Sequence, residues 1–329
     1  MDKWRKPEES YNGGVGEEGK AWQLLESLTL HSLKEQKRAR RWGIFFKLLT
    51  FTLMFAIVGL IYLSSKDVLP VSAPAGSHTA LVNLRGPISD DGDASADNIV
   101  IGLRAAFKDK GTKAVMLRIN SPGGSPVQSG YIYDEIVRLR KLYPDIPLYA
   151  VITDIGASGA YYVAAAADAI YADKASLVGS IGVVSSGFGY VDAMKKLGIT
   201  RRTYTSGEHK AFMDPFLPRD KEAAKLWQAS LETIHQQFID SVKAGRGDRL
   251  KKNKDLFSGM IWSGEQAMDL GLIDGLGSAG FVARDIVGQA DIVDFTPKIT
   301  PLERFARNFG ASAAHVMLQI MGGSGLQLK

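Results

Sequence analysis

The sequence contains no cysteine, few histidines and no long block of charges of one sign. The absence of cysteine excludes disulfides, a thiol nucleophile and thiolate-bound metals. The five histidines do not cluster with carboxylates at the spacing of a metal site, so we predict neither a metal nor a cofactor. Basic residues outnumber acidic ones by ten to seven in residues 1–47 and by 30 to 28 in the rest. This balance lacks the basic stripe of a nucleic-acid-binding protein, and we expect no nucleic-acid partner.

One hydrophobic run interrupts this mixed sequence. Residues 44–63 are 20 residues with a single charge, Lys47, near the start. At 1.5 Å per residue, a helix of this length crosses a hydrocarbon core of about 30 Å. The polar leader of 43 residues is longer than the start of a typical signal peptide. We therefore predict an uncleaved transmembrane helix rather than a cleaved segment or a core helix.

The charges that flank residues 44–63 predict the orientation of the chain. Cytoplasmic flanks of membrane helices are enriched in lysine and arginine. Only Lys66 follows the run closely, so we expect a single-pass protein of a bacterial inner membrane, with a cytoplasmic N-terminus and the globular part in the periplasm. Five basic residues precede the run: Lys34, Lys37, Arg38, Arg40 and Arg41.

Beyond residue 79 the sequence alternates between two apolar patterns. Short apolar runs are typical of buried strands, and apolar residues spaced by three and four are typical of helices. Such alternation predicts an α/β domain with a largely parallel sheet. We predict strands at 80–84, 113–120, 147–153, 169–172, 181–185 and 202–205, helices at 98–107, 128–142, 158–167, 190–197 and 220–244, and strand, short helix and strand within 258–277.

These patterns divide the chain into five parts. The α/β domain at 80–296 is the largest and the only one long enough to bury a sizeable core. A linker rich in proline and small residues joins it to the membrane segment. We predict a partly disordered leader at 1–43, the transmembrane helix at 44–63, the linker at 64–79 and a C-terminal tail with helical spacing at 297–329.

Ser158 is the first candidate catalytic residue. It lies between Gly156 and Gly159, directly after a predicted strand and at the start of an alanine-rich helix. A serine on such a turn can meet a substrate, but it needs a base to become a nucleophile. The simpler interpretation is a helix N-cap, because serine is favoured there.

Lys210 is the candidate for that base. A lysine accepts a proton only as a neutral amine, and burial among apolar groups lowers its pKa. Phe212, Met213 and Phe216 follow it and could form an apolar wall. Glu208 would favour the charged form instead, and a solvated loop lysine is the simpler interpretation.

A pair of glycines, Gly123 and Gly124, follows another predicted strand and precedes a helix. Ligands of α/β sheets bind at this carboxyl edge. Adjacent glycines let the backbone approach a substrate and direct N–H groups at a developing oxyanion. The alternative is an ordinary turn, since the lysine of a phosphate-binding loop is absent from this motif.

A histidine base is the main alternative to the lysine. His209 is the nearest histidine in sequence to Lys210, and a triad would add Asp154 or Asp214. In an extended chain, however, neighbouring side chains point to opposite faces. We therefore favour the lysine. The other histidines are His31, His78, His235 and His315.

Several motifs occur together in the order found in one peptidase family. The sequence resembles the signal peptide peptidase A family over roughly residues 80–285. Several motifs in register are far more specific than any one of them. The motifs are Asn120 to Gly124, Gly156 to Tyr162, Gly179 to Val183, Ser206 to Lys210, Trp262 to Ala267 and Leu270 to Asp274.

This resemblance implies a Clp-protease/crotonase-like fold with repeated ββα units. It also implies a membrane-anchored serine endopeptidase that hydrolyses remnant signal peptides through an acyl-enzyme. Ser158 matches the nucleophile, Lys210 the general base, and Ser180 a serine that orients this lysine. Gly124, with Gly123 beside it, matches the oxyanion hole. The short, single-unit length suggests a homo-oligomer such as an octameric ring.

Apolar segments beside these residues would bind an extended peptide by strand pairing. We expect the substrate-binding residues to be Ile181, Gly182, Val183, Val184 and Ser125. Two other classes of function compete with a peptidase. A crotonase-type acyl-CoA enzyme would also use glycine N–H groups but would not need Ser158 or Lys210. An inactive membrane scaffold would keep the fold for assembly alone.

Overall fold

The computed structural model describes residues 17–66 and 76–297, and the chain divides into two compact units after Leu69. In the first unit, helix α1 (Glu17–Lys66) runs for 50 residues without a break at the predicted boundary between residues 43 and 44. The end of the predicted leader and the predicted transmembrane helix are therefore one continuous helix. Parts of the predicted leader, linker and tail lie outside the described residues.

Within the described residues, no helix combines the length and the hydropathy that a membrane crossing requires. The described side chains of α1 between residues 44 and 56 are exposed. The side chains at position 57 and at 60–66 are not among those described, so the predicted membrane segment is covered only in part.

The second unit is built on one sheet of eight strands that alternate with helices, which confirms the predicted α/β class. Alternate residues of a central strand pack against the two faces, since Ala80 and Val82 join the larger core while Leu81 joins a smaller one. The strands are β1 (His78–Arg85), β2 (Thr112–Ser121), β3 (Leu148–Ala157), β4 (Ala169–Ala172), β5 (Leu177–Gly179), β6 (Ile261–Ser263), β7 (Gly275–Leu276) and β8 (Ile292–Asp294).

The strand order is β6-β5-β3-β2-β1-β8, and β4 pairs with both β3 and β7. All neighbours are parallel except β5 and β6, which are antiparallel. Strand β3 pairs with β4 along its first half and with β5 along its last three residues. Because parallel strands end at the same edge of a sheet, this arrangement brings the ends of β2, β3 and β5 together.

The helices begin and end at recognisable caps. Asp220 caps the longest one of this unit, and its carboxylate accepts hydrogen bonds from two backbone N–H groups. Gly247 follows the last residue of that helix with φ 55°. The helices are α2 (Ala96–Lys108), α3 (Pro126–Leu142), α4 (Gly159–Ala164), α5 (Val191–Lys196), α6 (Lys221–Arg246), α7 (Gly264–Asp269) and α8 (Ala279–Phe281), which continues as a π-helical turn to Ile286.

Two predicted strands, at 181–185 and at 202–205, are wrong. The chain instead forms strand β5 earlier and then turns sharply, because Gly179 and Ser180 both have positive φ, 103° and 51°. Such dihedral angles end an extended strand. The apolar runs predict buried strands, yet Val184 is 87% exposed and Tyr204 94% exposed, and only Ile181 is buried.

A carboxylate in the core joins helices α2 and α3. Glu135 is 8% exposed and accepts hydrogen bonds from Arg104 at 2.7 Å and from Arg138 at 2.9 and 2.7 Å. These partners, above all the hydrogen bonds from Arg138, lower the pKa of Glu135 to about 2. The paired carboxylate therefore stays ionised and holds the two helices together.

Candidate active site

Ser158 forms the whole connection between strand β3 and helix α4. Its backbone has φ 53° and ψ −129°, a conformation that costs a residue with a side chain about 1–3 kcal/mol. Its N–H donates to the carbonyl of Gly179 at 2.8 Å. Its side chain makes no capping hydrogen bond, so the simpler interpretation as an N-cap is not what the structure shows. Strained serines on such strand-to-helix turns expose their hydroxyl for reaction.

The glycine pair lies directly against this turn. A Cβ atom at Gly123 would lie 2.8 Å from Cβ of Ser158 and 2.7 Å from the nitrogen of Gly159, so only glycine allows the two turns to approach. The N–H of Gly123 donates to Oγ of Ser121 at 3.1 Å. Gly123 thus serves close packing, and its N–H is already engaged.

Gly124 differs from Gly123 in its hydrogen bonding. Ile88 bonds to the residues on either side, because its N–H donates to Gly123 and its carbonyl accepts from Ser125. The N–H of Gly124 has no acceptor among the hydrogen bonds of the described residues. Since Gly159 is the first residue of α4, its N–H has no acceptor within the helix either. These two N–H groups are therefore candidates for an oxyanion hole.

Ser180 lies beside Ser158 because strands β3 and β5 run in parallel with Ala157 opposite Gly179. Each serine is the residue that follows a paired position. Ser180 has φ 51°, and its N–H donates to the carbonyl of Met260 at 2.8 Å. Among the described residues other than glycine, only these two serines have positive φ. Backbone strain of this kind concentrates at functional sites.

Both serines open into a cavity of about 630 Å³. Helix α3 contributes residues at intervals of three and four, as does helix α6, so one face of each helix forms a wall. The described residues that line it are Gly124, Pro126, Val127, Gly130, Tyr131, Asp134, Ser158, Gly159, Tyr162, Ser180, Gly182, Val183, Val184, Ile234, Gln237, Phe238, Ser258 and Gly259.

The predicted substrate-binding residues separate into two groups. Gly182, Val183 and Val184 line the cavity, although not as a strand. Ile181 is fully buried, and Ser125 is the N-cap of α3, where its Oγ accepts a hydrogen bond from the N–H of Gln128. Neither of these two residues is among the cavity lining.

His235 makes a hydrogen bond beside the cavity that the sequence did not predict. Its Nε2 lies 3.1 Å from the carbonyl oxygen of Ile181, and since a carbonyl only accepts, the imidazole N–H is the donor. This bond ties α6 to the chain between Ser180 and Gly182. The apolar spacing of Ile234 and Phe238 on α6 was the signal available in the sequence, but it did not indicate which segment of the chain the helix contacts.

Lys210 lies elsewhere. It is exposed and is not among the described residues that line the cavity, so the apolar wall expected from Phe212, Met213 and Phe216 does not bury it. Phe212 contacts Trp227, and Phe216 stacks on Tyr190 with ring centroids 5.3 Å apart. The structure of one chain therefore brings Ser158, Ser180 and Gly124 together, without Lys210.

The histidine alternative receives no support from the geometry. His209 Nδ1 donates to Asp220 at 3.0 Å, and this hydrogen bond raises the pKa of His209. The two candidate carboxylates are engaged elsewhere, since Asp214 accepts from Arg201 and Asp154 accepts from Asn120. Across the described residues there is no cluster of three or more potential metal ligands.

Comparison with known proteins shows which proteins this part of the chain resembles. The sequence profile of peptidase family S49 matches residues 140–291, which include Ser158, Ser180 and Lys210. A putative signal peptide peptidase of Enterococcus faecium is 33% identical over 223 residues, which are 65% of this chain and 64% of that protein. A chloroplastic serine protease of Arabidopsis thaliana is 31% identical over 240 residues, which are 72% of this chain and 34% of that protein.

A protein of Brucella abortus named Na(+)/H(+) antiporter NhaA is 41% identical over 244 residues. The match covers 72% of this chain but 32% of the Brucella protein. Most of that protein therefore lies outside the match, and its name need not describe the shared part. This chain spans about one third of the length of the Brucella and Arabidopsis proteins and just under two thirds of the Enterococcus protein.

Proposed function

We propose that the chain is a peptidase of family S49, namely a membrane-anchored serine endopeptidase that uses Ser158 as nucleophile and Lys210 as general base. The observation that carries this proposal is the strained turn at Ser158, which directs a residue without a capping role toward a cavity. The α/β sheet with an active site at its carboxyl edge supports a Clp-protease/crotonase-like fold.

The proposed reaction uses four groups. The neutral amine of Lys210 takes the proton of the Ser158 hydroxyl, whose Oγ attacks the peptide carbonyl. The N–H groups of Gly124 and Gly159 donate to the oxyanion that forms. The ammonium then gives its proton to the leaving amine as the C–N bond breaks. Lys210 next deprotonates water, which hydrolyses the ester and returns Ser158 to its starting form.

Ser180 would orient the lysine. Its position beside Ser158 on the neighbouring strand supports this role, since an amine that approached Oγ of Ser158 between the two strands would also meet the Ser180 hydroxyl. A hydroxyl that accepts from the lysine would hold its nitrogen at hydrogen-bonding distance from the nucleophile.

Assembly is proposed to deliver the lysine. The segment 182–219, which carries Lys210, contains no buried residue and exposes large apolar side chains, among them Phe188 (79%) and Leu197 (73%). Exposed apolar surface on this scale is typical of a surface that contacts another molecule. We propose that a homo-oligomer, such as an octameric ring, buries this segment and places a lysine at each Ser158.

The proposed substrates are remnant signal peptides or other short apolar peptides. The cavity supports this class through its apolar walls, which include Val127, Ile234 and Phe238. We further propose that residues 44–63 anchor the chain in a bacterial inner membrane with the peptidase domain in the periplasm. Removal of residues 1–66 should shift the protein from the membrane to the soluble fraction, and unchanged fractionation would contradict this anchor.

A fluorophosphonate probe tests the nucleophile. We expect the wild-type protein to be labelled at Ser158, and the Ser158→Ala and Lys210→Ala variants to remain unlabelled. Each variant should keep the circular dichroism spectrum and elution volume of the wild type. A folded wild type that resists the probe, or labelling that survives Ser158→Ala, would overturn the proposed mechanism. An acyl-CoA enzyme or a scaffold would give that result.

Mixing the two inactive variants tests how the lysine reaches the serine. Because Lys210 is outside the cavity of its own chain, we expect unfolded and jointly refolded Ser158→Ala and Lys210→Ala chains to regain part of the wild-type activity. Separately refolded variants provide the control. If the mixture forms oligomers of wild-type size yet stays inactive, the lysine acts within its own chain.

A further inference from the structure

The wall of the cavity formed by helix α3 changes in character along its length. Pro126, Val127 and Gly130 are apolar or small, and Asp134 lies two helical turns beyond the start of the helix. Eight residues at 1.5 Å each separate Pro126 from Asp134 by about 12 Å along the helix axis. Among the described residues that line the cavity, Asp134 contributes the only formal charge.

The neighbouring arginines of α3 do not neutralise this carboxylate. Arg138 is one turn from Asp134 but donates hydrogen bonds to both carboxylate oxygens of Glu135. Arg140 pairs with Asp168. In the described parts of the chain Asp134 has no partner within ion-pair distance. Its charge is therefore available to a molecule that occupies the cavity.

We propose that Asp134 is a specificity-determining residue, which selects peptides that carry a lysine or arginine within an otherwise apolar segment. This proposal rests on the peptidase function proposed above. The aliphatic stem of such a side chain can pack on the apolar walls while its charged end reaches the carboxylate. An extended peptide advances about 3.3 Å per residue, so about four residues of a peptide would span the wall of α3 from Pro126 to Asp134.

The size of the preference follows from the exposure of Asp134 to solvent. Exposed ion pairs are weak and are screened by salt. We therefore expect a three- to tenfold preference in kcat/KM for a basic side chain over an uncharged side chain of similar length. The preference should shrink as the NaCl concentration rises.

Matched peptide substrates test the inference. Quenched fluorescent peptides would carry lysine or norleucine at each of four positions on either side of the cleaved bond, in the same apolar sequence. In the wild-type enzyme, one position should favour lysine, and Asp134→Asn should reduce that ratio of kcat/KM by three- to tenfold. Asp145→Asn removes the same charge from the exposed loop after α3 and should leave the ratio unchanged.

Two further measurements separate this inference from the proposed function. Asp134→Lys should reverse the preference in favour of glutamate peptides. In the unreactive Ser158→Ala background, the lysine peptide should bind more tightly than the norleucine peptide by fluorescence anisotropy, and Asp134→Asn should remove the difference. An enzyme that is labelled at Ser158 but shows the same ratios with and without Asp134 overturns the inference alone. Failure of labelling in the wild type overturns the proposed function.

Discussion

Ser158 and Lys210 lie in two regions of the second unit that differ in packing. Ala150, Val151 and Ile152 of strand β3, which leads to Ser158, are at most 1% exposed. Between residues 182 and 222, which include Lys210, no residue is buried. The fold of one chain thus packs Ser158 and the proposed oxyanion donors against a buried core. The segment that carries Lys210 is held by few buried contacts. Segments of this kind are the first to rearrange.

The contrast extends to the polar contacts. The packed region uses buried groups with several partners, as when Arg246, 1% exposed, donates to both Asp274 and the carbonyl of Gly271. Segment 182–219 uses exposed pairs instead, such as Arg201 with Asp214. Buried pairs resist opening because separation leaves a charge unpaired, whereas exposed pairs exchange with water at little cost. A catalytic site built from both regions can stay inactive until the looser one is held in place.

The largest expected effect comes from a small change in the packed region. In Gly124→Ala, the added Cβ would overlap the carbonyl oxygen of Ile88 and displace the N–H proposed for the oxyanion hole. We expect kcat/KM to fall by about a hundredfold or more. Gly280→Ala is the control and should keep full activity, because Gly280 is exposed on α8 and the added Cβ would come no closer than 3.9 Å to another heavy atom, Oγ of Ser278. An active Gly124→Ala enzyme would show that this turn is less constrained than its packing indicates.

An intermediate effect is expected when acid removes the charge of Glu135. The folded-state pKa, about 2, lies below the ordinary value of 4.5, so the stabilisation is complete above about pH 4.5 and is lost as the pH falls toward 2. A shift of this size corresponds to about 3 kcal/mol, and solvent screening of the two half-exposed arginines reduces the expected contribution to about 2–3 kcal/mol of unfolding free energy. Urea unfolding between pH 6 and 3 should show this loss in the wild type.

The matched variants decide whether Glu135 is the cause. Glu135→Gln should be less stable near pH 7 and should lack that part of the pH dependence. Asp145→Asn alters an exposed carboxylate and should retain it. If all three proteins lose stability in parallel on acidification, other carboxylates are responsible.

The smallest effect is expected in the loose segment. The hydrogen bond to Asp220 raises the pKa of His209. The stabilisation that the charged histidine gives to the folded state is therefore present at low pH and is lost as the pH rises through the folded-state pKa. Histidine NMR titration should give His209 a pKa above the ordinary value of about 6.5, and Asp220→Asn should lower it. The global unfolding midpoint should change less than it does for Glu135. A titration at or below the ordinary value would show that this pair does not form in solution.

The sequence predicted the elements of the packed region well. The strands at 113–120 and 169–172 and the helices at 128–142 and 220–244 lie within about two residues of the observed bounds. Each of these elements buries apolar residues in the core, such as Ile132 and Ile136 of α3 and Phe238 and Val242 of α6, so periodicity and burial agree there. The predicted strands at 181–185 and 202–205 failed because only Ile181 of the first segment is buried, while Val184 and Tyr204 are exposed in one chain. Periodicity cannot distinguish a residue that packs in its own core from one that packs on another molecule.

The sequence by itself determined the α/β class, the serine at the end of a strand and the glycine pair at the end of another, because turn residues and apolar runs are local signals. Only the tertiary structure decided which of these turns meet. It separated Gly123, whose N–H is engaged and whose missing Cβ permits close packing, from Gly124, whose N–H has no acceptor in the part of the chain that the structure describes. It also placed Asp134 in the cavity and Lys210 outside it. Distances between residues far apart in the chain depend on how strands pair and helices pack, which no local pattern records.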